Sequence, residues 1–289
     1  MLGEVTQVGH RLGLSPSVLT FHPHPRAYFA RQQGNTYHAP LQINSLRDKL
    51  TRLVKAGIEQ IALLPFNRAM AQMTPEDFIE RLLFQQLNMR WLMVGPDFKF
   101  GHRRAGDVAL LETYAKRLGF ELAVLPEVVD QNGQRISSSQ VRQALQSGDM
   151  ASAAALLGQP WRVTGHVLHG KKLGRTLGFP TLNQRVSDQT AARFGIYVVK
   201  VHGLGPNPLP GIASLGRRPT VTDTLGVLLE THVLDAQIDA YGKLVSVELL
   251  QHVRDETKFP DLTTLTAAMQ RDRQHAIDYF AHHGLQNHA

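Results

Sequence analysis

Short apolar runs alternate with amphipathic stretches over the first half of the chain. Ser17 to Phe21 (SVLTF), Ile58 to Phe66, Trp91 to Val94 and Phe120 to Val128 read as strands, being brief, apolar and bounded by turn residues. Between them, apolar positions three and four apart predict helices. One covers residues 4–13, with Val5, Val8 and Leu12 on one face. A second covers residues 45–57, with Ser45 as N-cap and Gly57 just past its end. A third opens at Thr74-Pro75-Glu76-Asp77 and continues to about Leu87; it has a capping hydroxyl, proline at the first position and acids in the first turn. A fourth covers about 107–118. His22-Pro23-His24-Pro25 ends the first strand sharply, and is read as a strand-end loop fixed by its prolines rather than as a metal site. Strands alternating with helices predict a parallel α/β sheet that binds ligands at the carboxyl ends of its strands.

The pattern changes near Gly158. A helical stretch over 143–158 ends there, and Gln159-Pro160 breaks it. Trp161–Leu168, Ile196–Val201, Gly211–Leu215, Leu228–Leu234 and Val245–Val253 follow as β runs joined by turn-forming residues such as Gly205-Pro206-Asn207-Pro208. Five or six strands of this kind predict a small closed barrel, since closure removes exposed edges. A last helix is expected over 263–281, with Thr263 or Thr264 near its cap. The fold class is α/β followed by β, with domains over 1–158 and 159–289.

Composition narrows the function. At 289 residues and 43% hydrophobic, the chain has room for two packed domains. With no cysteine it has neither disulfides nor thiolate metal sites, which fits a reducing cytoplasm. No run approaches the roughly 20 apolar residues of a membrane span. The opening MLGEVTQVGHRLG lacks the cationic head and apolar core of a signal peptide. The net charge is +7. Its cations are scattered (Arg103-Arg104, Lys171-Lys172, Arg217-Arg218), with no RNA-binding aromatic signature, zinc spacing or repeat. Such a charge suits nucleic acid, or equally nucleotides and phosphorylated metabolites, or a basic surface with no partner; no nucleic acid and no membrane are expected, and a homo-oligomer is left open.

Candidate chemistry centres on Gly165 to Asn183, GHVLHGKKLGRTLGFPTLN. Glycines at 170, 174 and 178 alternate with Lys171, Lys172 and Arg175, so backbone N–H groups and cations can face one polyphosphate. Pro180 then makes a rigid corner. Thr181 and Asn183 follow with hard oxygen donors suited to Mg²⁺. The other reading is a turn-rich surface loop with basic decoration. The loop fits neither the Walker pattern nor the dinucleotide fingerprint. Three further places have two readings each. In Gly95 to Gly106, Asp97, Phe98 and Phe100 either flank a flat ring or simply pack. Ser137 to Arg142 is either an ordinary helix cap or an anion site. Glu230, in the apolar run LLETHVL, is either an outward-facing strand residue or a carboxylate kept for proton transfer.

The string G-x-x-x-x-G-x-x-x-G-R-x-x-G-F-P-T-x-N resembles the signature of riboflavin kinases. Around it, Gly195-Ile196-Tyr197, Gly216-Arg217-Arg218-Pro219-Thr220, Glu230-Thr231-His232-Val233-Leu234-Asp235, Tyr241-Gly242 and RDETKF (Arg254 to Phe259) resemble that family's later segments. In the first half, the loop after Trp91–Val94 resembles G-D-D-F-x-F-G, with Pro96 departing from it. Ile136 to Arg142 resembles I-S-S-T-x-I-R, with Ser139 in place of threonine. The whole chain is thus similar to the bacterial bifunctional riboflavin kinase/FAD synthetase family.

The resemblance implies a Rossmann-like nucleotidylyltransferase domain over 1–158 and a riboflavin-kinase barrel with a terminal helix over 159–289. It implies ATP-dependent phosphorylation of riboflavin to FMN, then adenylylation of FMN to FAD with release of pyrophosphate. In the kinase, Gly170, Lys172, Gly174, Arg175, Gly178 and Pro180 would hold phosphates, Thr181 and Asn183 would hold Mg²⁺, and Glu230 would be the base, with Asp235 and Asp239 as weaker rivals. Ser138, Ser139 and Arg142 would stabilise the leaving pyrophosphate; Asp97, Phe98, Phe100 and Arg254 would contact flavin. The family also carries, before its first helix, a strand and a G-x-F-D-G-x-H-x-G-H loop whose histidines face the transferring phosphate. No such segment occurs here and His10 does not take that role. The expectation is a parallel sheet without its first strand, and an active adenylyltransferase whose natural start lies upstream of Met1. The alternative is a riboflavin kinase alone with the first domain as scaffold, and a basic nucleic-acid-binding protein is the reading from another class.

Overall fold

The computed structural model describes residues 2–34, 39–126, 129, 133, 135–169, 178–217, 226–235 and 238–285. The chain folds as two compact units. One is made of Met1–Pro40 and Leu50–Ile136, the other of Leu41–Lys49 and Ser137–Ala289.

The first unit alternates helix and strand as the periodicity predicts. Its elements are α1 (Leu2–Leu12), β1 (Ser17–His22), α2 (Pro25–Gln32), α3 (Leu46–Lys55, whose first turn belongs to the second unit), β2 (Gln60–Pro65), α4 (Arg68–Gln72), α5 (Pro75–Asp77), β3 (Trp91–Val94), α6 (Val108–Leu118) and β4 (Glu121–Val124). β1 pairs in parallel with β2, and β3 in parallel with β4. No strand among the described residues joins the two pairs. Thr74 caps α5 by accepting from the Asp77 N–H at 3.1 Å, as its position ahead of proline and acids requires. The helix then widens to a π-helix over Phe78–Gln86, which turns Phe78, Ile79, Leu82 and Leu83 into the core. Leu19, Phe21 and Leu64 from the first strand pair and Leu92 from the second pack on this same cluster. Two short helices, α2 and α4, follow β1 and β2 in stretches where the sequence pattern predicts no element.

The second unit is built on a six-stranded antiparallel sheet. Its strands are β5 (Trp161–His166), β6 (Leu182–Val186), β7 (Gly195–His202), β8 (Leu209–Arg217), β9 (Val227–Val233) and β10 (Leu244–Arg254), in the order β5-β10-β7-β8-β9-β6. The two outer strands meet through a side chain. Gln184 of β6, fully buried, donates its amide to the Gly165 carbonyl at 2.9 Å and to the Val245 carbonyl at 2.7 Å. This draws the sheet into a nearly closed barrel. Alternate residues line its interior: Val199 and Val201, Ala213 and Leu215, Val227 and Leu229, and Val245, Val247 and Leu249.

Two helices, α7 (Ser138–Ser147) and α8 (Met150–Leu157), pack on the barrel core through Val141, Leu145, Met150 and Ala153. The final helix, Leu262–His283, covers the outer face through Ala276 and Ile277, against Val198 and Ile212. Its cap is Asp261, which accepts from the Thr264 N–H at 2.7 Å, just ahead of the threonines the sequence suggests. Residues 41–49 run along the barrel. Gln42 N–H donates to the Gln189 carbonyl at 2.6 Å, Ala191 N–H to the Gln42 carbonyl at 2.9 Å, and the Trp161 indole to the Ile43 carbonyl. No helix among the described residues is long and apolar enough to cross a membrane.

Candidate active site on the outer face of the barrel

The predicted kinase residues come together because of strand register. Asn183 on β6 is the direct cross-strand partner of Glu230 on β9. Glu230 is also opposite Ser214 on β8, Ser214 opposite Ile196 on β7, and Ile196 opposite Arg254 on β10. These five residues therefore form one lateral row across five strands. Facing residues in such a ladder are about 5 Å apart, so side chains in the row are within reach of their neighbours. Strand parity fixes their side. On β9, Val227, Leu229 and Val233 enter the core, so Glu230 and His232 face outward.

At one end of the row, Pro180 and Thr181 precede β6. Asn183 is buried, with 8% of its surface exposed, and its amide donates to the Thr181 carbonyl at 3.4 Å. Leu168 N–H donates to the Asn183 carbonyl at 2.8 Å, which ties the strand to the segment after β5. His232 lies one step from Glu230 on the same face. Its Nδ1 is 2.9 Å from the Pro180 carbonyl, and its ring meets Phe179 edge-on. Burial pushes the imidazole below its usual pKa, against the opposing pull of the Pro180 carbonyl. A small cleft beside Thr181, polar and apolar in about equal parts, is lined by Val167, Pro180, Leu182, Val233, Ile238 and Tyr241. Tyr241 stacks on His169 with ring centroids 4.1 Å apart.

At the other end, the Arg254 guanidinium is held by the carboxylate of Asp272 on the last helix, at 2.9 and 2.6 Å, and lies over the Phe259 ring. Glu256 reaches back over the row. Its carboxylate accepts from the Ser214 hydroxyl at 3.1 Å and fills the space that a Cβ on Gly216 would need. The sequence reading missed Glu256 and His232. His232 was legible, because residues two apart on a strand share a face and Glu230 already marked that face. Asp235 instead pairs with Arg273 of the last helix.

The donor set at the corner, a threonine hydroxyl, an asparagine amide oxygen and a nearby carboxylate, is all oxygen and fits a hard divalent cation that keeps phosphate oxygens among its ligands. Among the described residues no group of three or more His, Cys, Asp or Glu is placed to hold a metal by itself. Gly170, Lys172, Gly174 and Arg175 lie outside the described residues. Gly178 lies within them, at φ +81°, a conformation that glycine adopts without strain.

The other candidates are separate from this row. Ser137 is the N-cap of α7, in a reciprocal capping box with Gln140 (2.8 and 3.3 Å), so Ser138 and Ser139 occupy the first turn and are exposed. Arg142 donates its Nε to the Leu41 carbonyl at 2.7 Å. In the first unit, the Asp97 carboxylate pairs with Arg135 at 3.1 Å. Phe98 stacks on Phe100 at 5.4 Å, and Phe100, only 6% exposed, packs on Phe78 at 5.2 Å. Packing thus accounts for Phe100, while Phe98 and Asp97 lie nearer the surface.

Comparison with known proteins agrees with both halves. Residues 1–140 match the FAD synthetase family model, and residues 157–280 match the riboflavin kinase model. A bifunctional riboflavin kinase/FMN adenylyltransferase of Escherichia coli K12 is 39% identical over 280 residues, covering 97% of this chain and 87% of that protein. The Bacillus subtilis protein of the same name is 31% identical over 284 residues, covering 97% and 87%. A solved structure titled as a macrolide-efflux protein from Streptococcus pneumoniae has a TM-score of 0.75 at 29% identity, covering 94% of this chain and 88% of that one. With both domain models matched and identity sustained over nearly its whole length, the chain belongs to the bifunctional riboflavin kinase/FMN adenylyltransferase family, the enzymes of flavin cofactor synthesis.

Proposed function

We propose that the barrel transfers the γ-phosphoryl of ATP to the terminal ribityl hydroxyl of riboflavin, and that the row from Asn183 to Arg254 is where it does so. The observation that carries this reading is the direct pairing of Asn183 with Glu230. It sets an amide that could bind a metal beside a carboxylate on the same face. Glu230 would accept the hydroxyl proton as the nucleophile forms. Mg²⁺, held by Thr181 and Asn183, would neutralise charge on the phosphates. Gly170, Lys172, Gly174, Arg175, Gly178 and Pro180 would cradle those phosphates, since such transfer depends chiefly on positioning and electrostatics. Arg254, steadied by Asp272, would border the flavin.

The adenylyl half, FMN and ATP to FAD and pyrophosphate, needs no covalent intermediate. Asp97, Phe98 and Phe100 are read as the flavin loop, with Phe100 acting through the ring it stacks. The hydroxyls of Ser138 and Ser139 and the Arg142 guanidinium are read as the pyrophosphate site, at a helix N-terminus that favours anions. The functional boundary is placed at 158, with domains over 1–158 and 159–289. We further place the protein in the cytoplasm with no nucleic-acid partner. The test is to incubate the chain with riboflavin, ATP and Mg²⁺ and resolve the products by chromatography. FMN and FAD are both expected. FMN without FAD would confine the proposal to the kinase, and neither product, with salt-sensitive RNA binding, would overturn it.

A further inference from the structure

Asn183 and Glu230 are fixed relative to each other by the β6–β9 ladder, but Thr181 lies one residue outside it, since β6 begins at Leu182. Pro180, just before Thr181, has no N–H to donate, so its carbonyl is the backbone handle available at that corner. That carbonyl lies 2.9 Å from Nδ1 of His232, which projects from the same face of β9 as Glu230, two residues away. The residue is 9% exposed, and Phe179 packs against its ring at 5.2 Å between centroids. A carbonyl can only accept, so Nδ1 carries the proton in this bond.

We infer that His232 is a positioning residue for phosphoryl transfer: by holding the Pro180 carbonyl it locks the Thr181 hydroxyl onto the strand that carries Glu230. The inference rests on the reading of Thr181 and Asn183 as metal ligands. It assigns the imidazole no contact with substrate. Without the bond, the ladder still holds Asn183 and Glu230, but the corner ahead of β6 is free to shift. The affinity for Mg²⁺ and ATP should therefore suffer more than the chemical step.

The test uses the full chain and three substitutions, with FMN formation followed against Mg²⁺ and against ATP. His232→Ala removes the donor. His232→Asn keeps an N–H at the place of Nδ1, and His232→Gln moves it one atom farther out. His232→Ala and His232→Gln are expected to raise the half-saturating Mg²⁺ and the KM for ATP about tenfold, the size of one lost hydrogen bond, with kcat within about threefold. His232→Asn should restore most of this. Melting temperatures of all three are measured alongside. If His232→Ala keeps the wild-type Mg²⁺ dependence, or if Asn rescues no better than Gln, the inference is wrong. Equal loss in all three with lowered melting would make the residue merely structural and also overturn it. Thr181→Ala separates the two levels. A shift there without one in His232→Ala sinks only the role of the histidine. Wild-type Mg²⁺ dependence in Thr181→Ala removes the metal reading and the inference with it.

Discussion

Glu230 is half-buried on a strand whose neighbours Leu229 and Thr231 are fully buried, and its cross-strand partners Asn183 and Ser214 are both polar. Holding a carboxylate in that setting carries a desolvation cost. Glu230→Gln keeps the shape and removes the proposed base, so kcat for FMN formation should fall by about 10² or more while the KM for ATP stays within a few-fold. Steady-state kinetics over a range of ATP would check this, and a collapse in ATP affinity would instead give Glu230 a binding role. Asn183→Ala should act differently. It removes a donor from the proposed metal corner, so part of the lost rate should return at high Mg²⁺. No recovery up to saturating metal would take Asn183 out of the metal site. Both residues stood out in the sequence through the types at those positions. Their direct pairing did not, because register across a separation of more than forty residues is set by which side chains the barrel core accepts.

The strand β6 shows why elements are harder to read than motifs. Its sequence, LNQRV, has three polar residues among five, so no apolar run marks it. It is a strand because Gln184, pointing inward, satisfies two carbonyls across the closing seam of the barrel. Pairing between elements also explains Arg254. Its bidentate bond to Asp272 fastens the last helix to β10, the two side chains being 29% and 10% exposed. Asp272→Asn should lower stability by about 2 kcal/mol, less than a fully buried pair would lose, because water still reaches the guanidinium. A drop of several degrees in the melting of the barrel is the readout. Loss of kinase activity without that drop would show that the pair serves flavin binding more than the helix. On α7, Ser137→Ala breaks the capping box and should cost about 1 kcal/mol, seen as easier thermal unfolding.

At the scale of the molecule, charges on the outer face of the barrel are matched in a second row. Arg162, Glu248 and Lys200 are cross-strand neighbours on β5, β10 and β7. Glu248, 3% exposed, meets Arg162 at 2.9 Å and His202 at 3.2 Å. Burial alone would raise the Glu248 pKa. The His202 hydrogen bond and the charges of His202, Arg162 and Lys200 outweigh it and hold the carboxyl below its ordinary value of 4.5. A carboxyl depressed in the folded state stabilises above its unfolded pKa, and that contribution is lost as pH falls through the folded one. The barrel should therefore keep its stability from neutral pH down to about pH 5 and lose it progressively below 4.5. Thermal melts between pH 7 and pH 3 would follow this, and Glu248→Gln should flatten the acid part of the curve. An unchanged acid slope in that variant would shift the effect to other carboxyls.

The sequence by itself determined the order of most helices and of every strand but β6, the change from helix to strand near Gly158, and the residue types of the proposed kinase site. Those depend on local periodicity, capping and short motifs, all carried by neighbours in the chain. Tertiary structure alone decided which residues meet. It brought Asn183, Glu230 and Arg254 into one row, turned Phe100 into the core, placed residues 41–49 along the barrel, and set His232 beneath the corner at Pro180. These contacts join positions tens to more than a hundred residues apart. Their register follows from closing a barrel around one apolar interior, a condition on the whole chain that no single stretch of sequence contains.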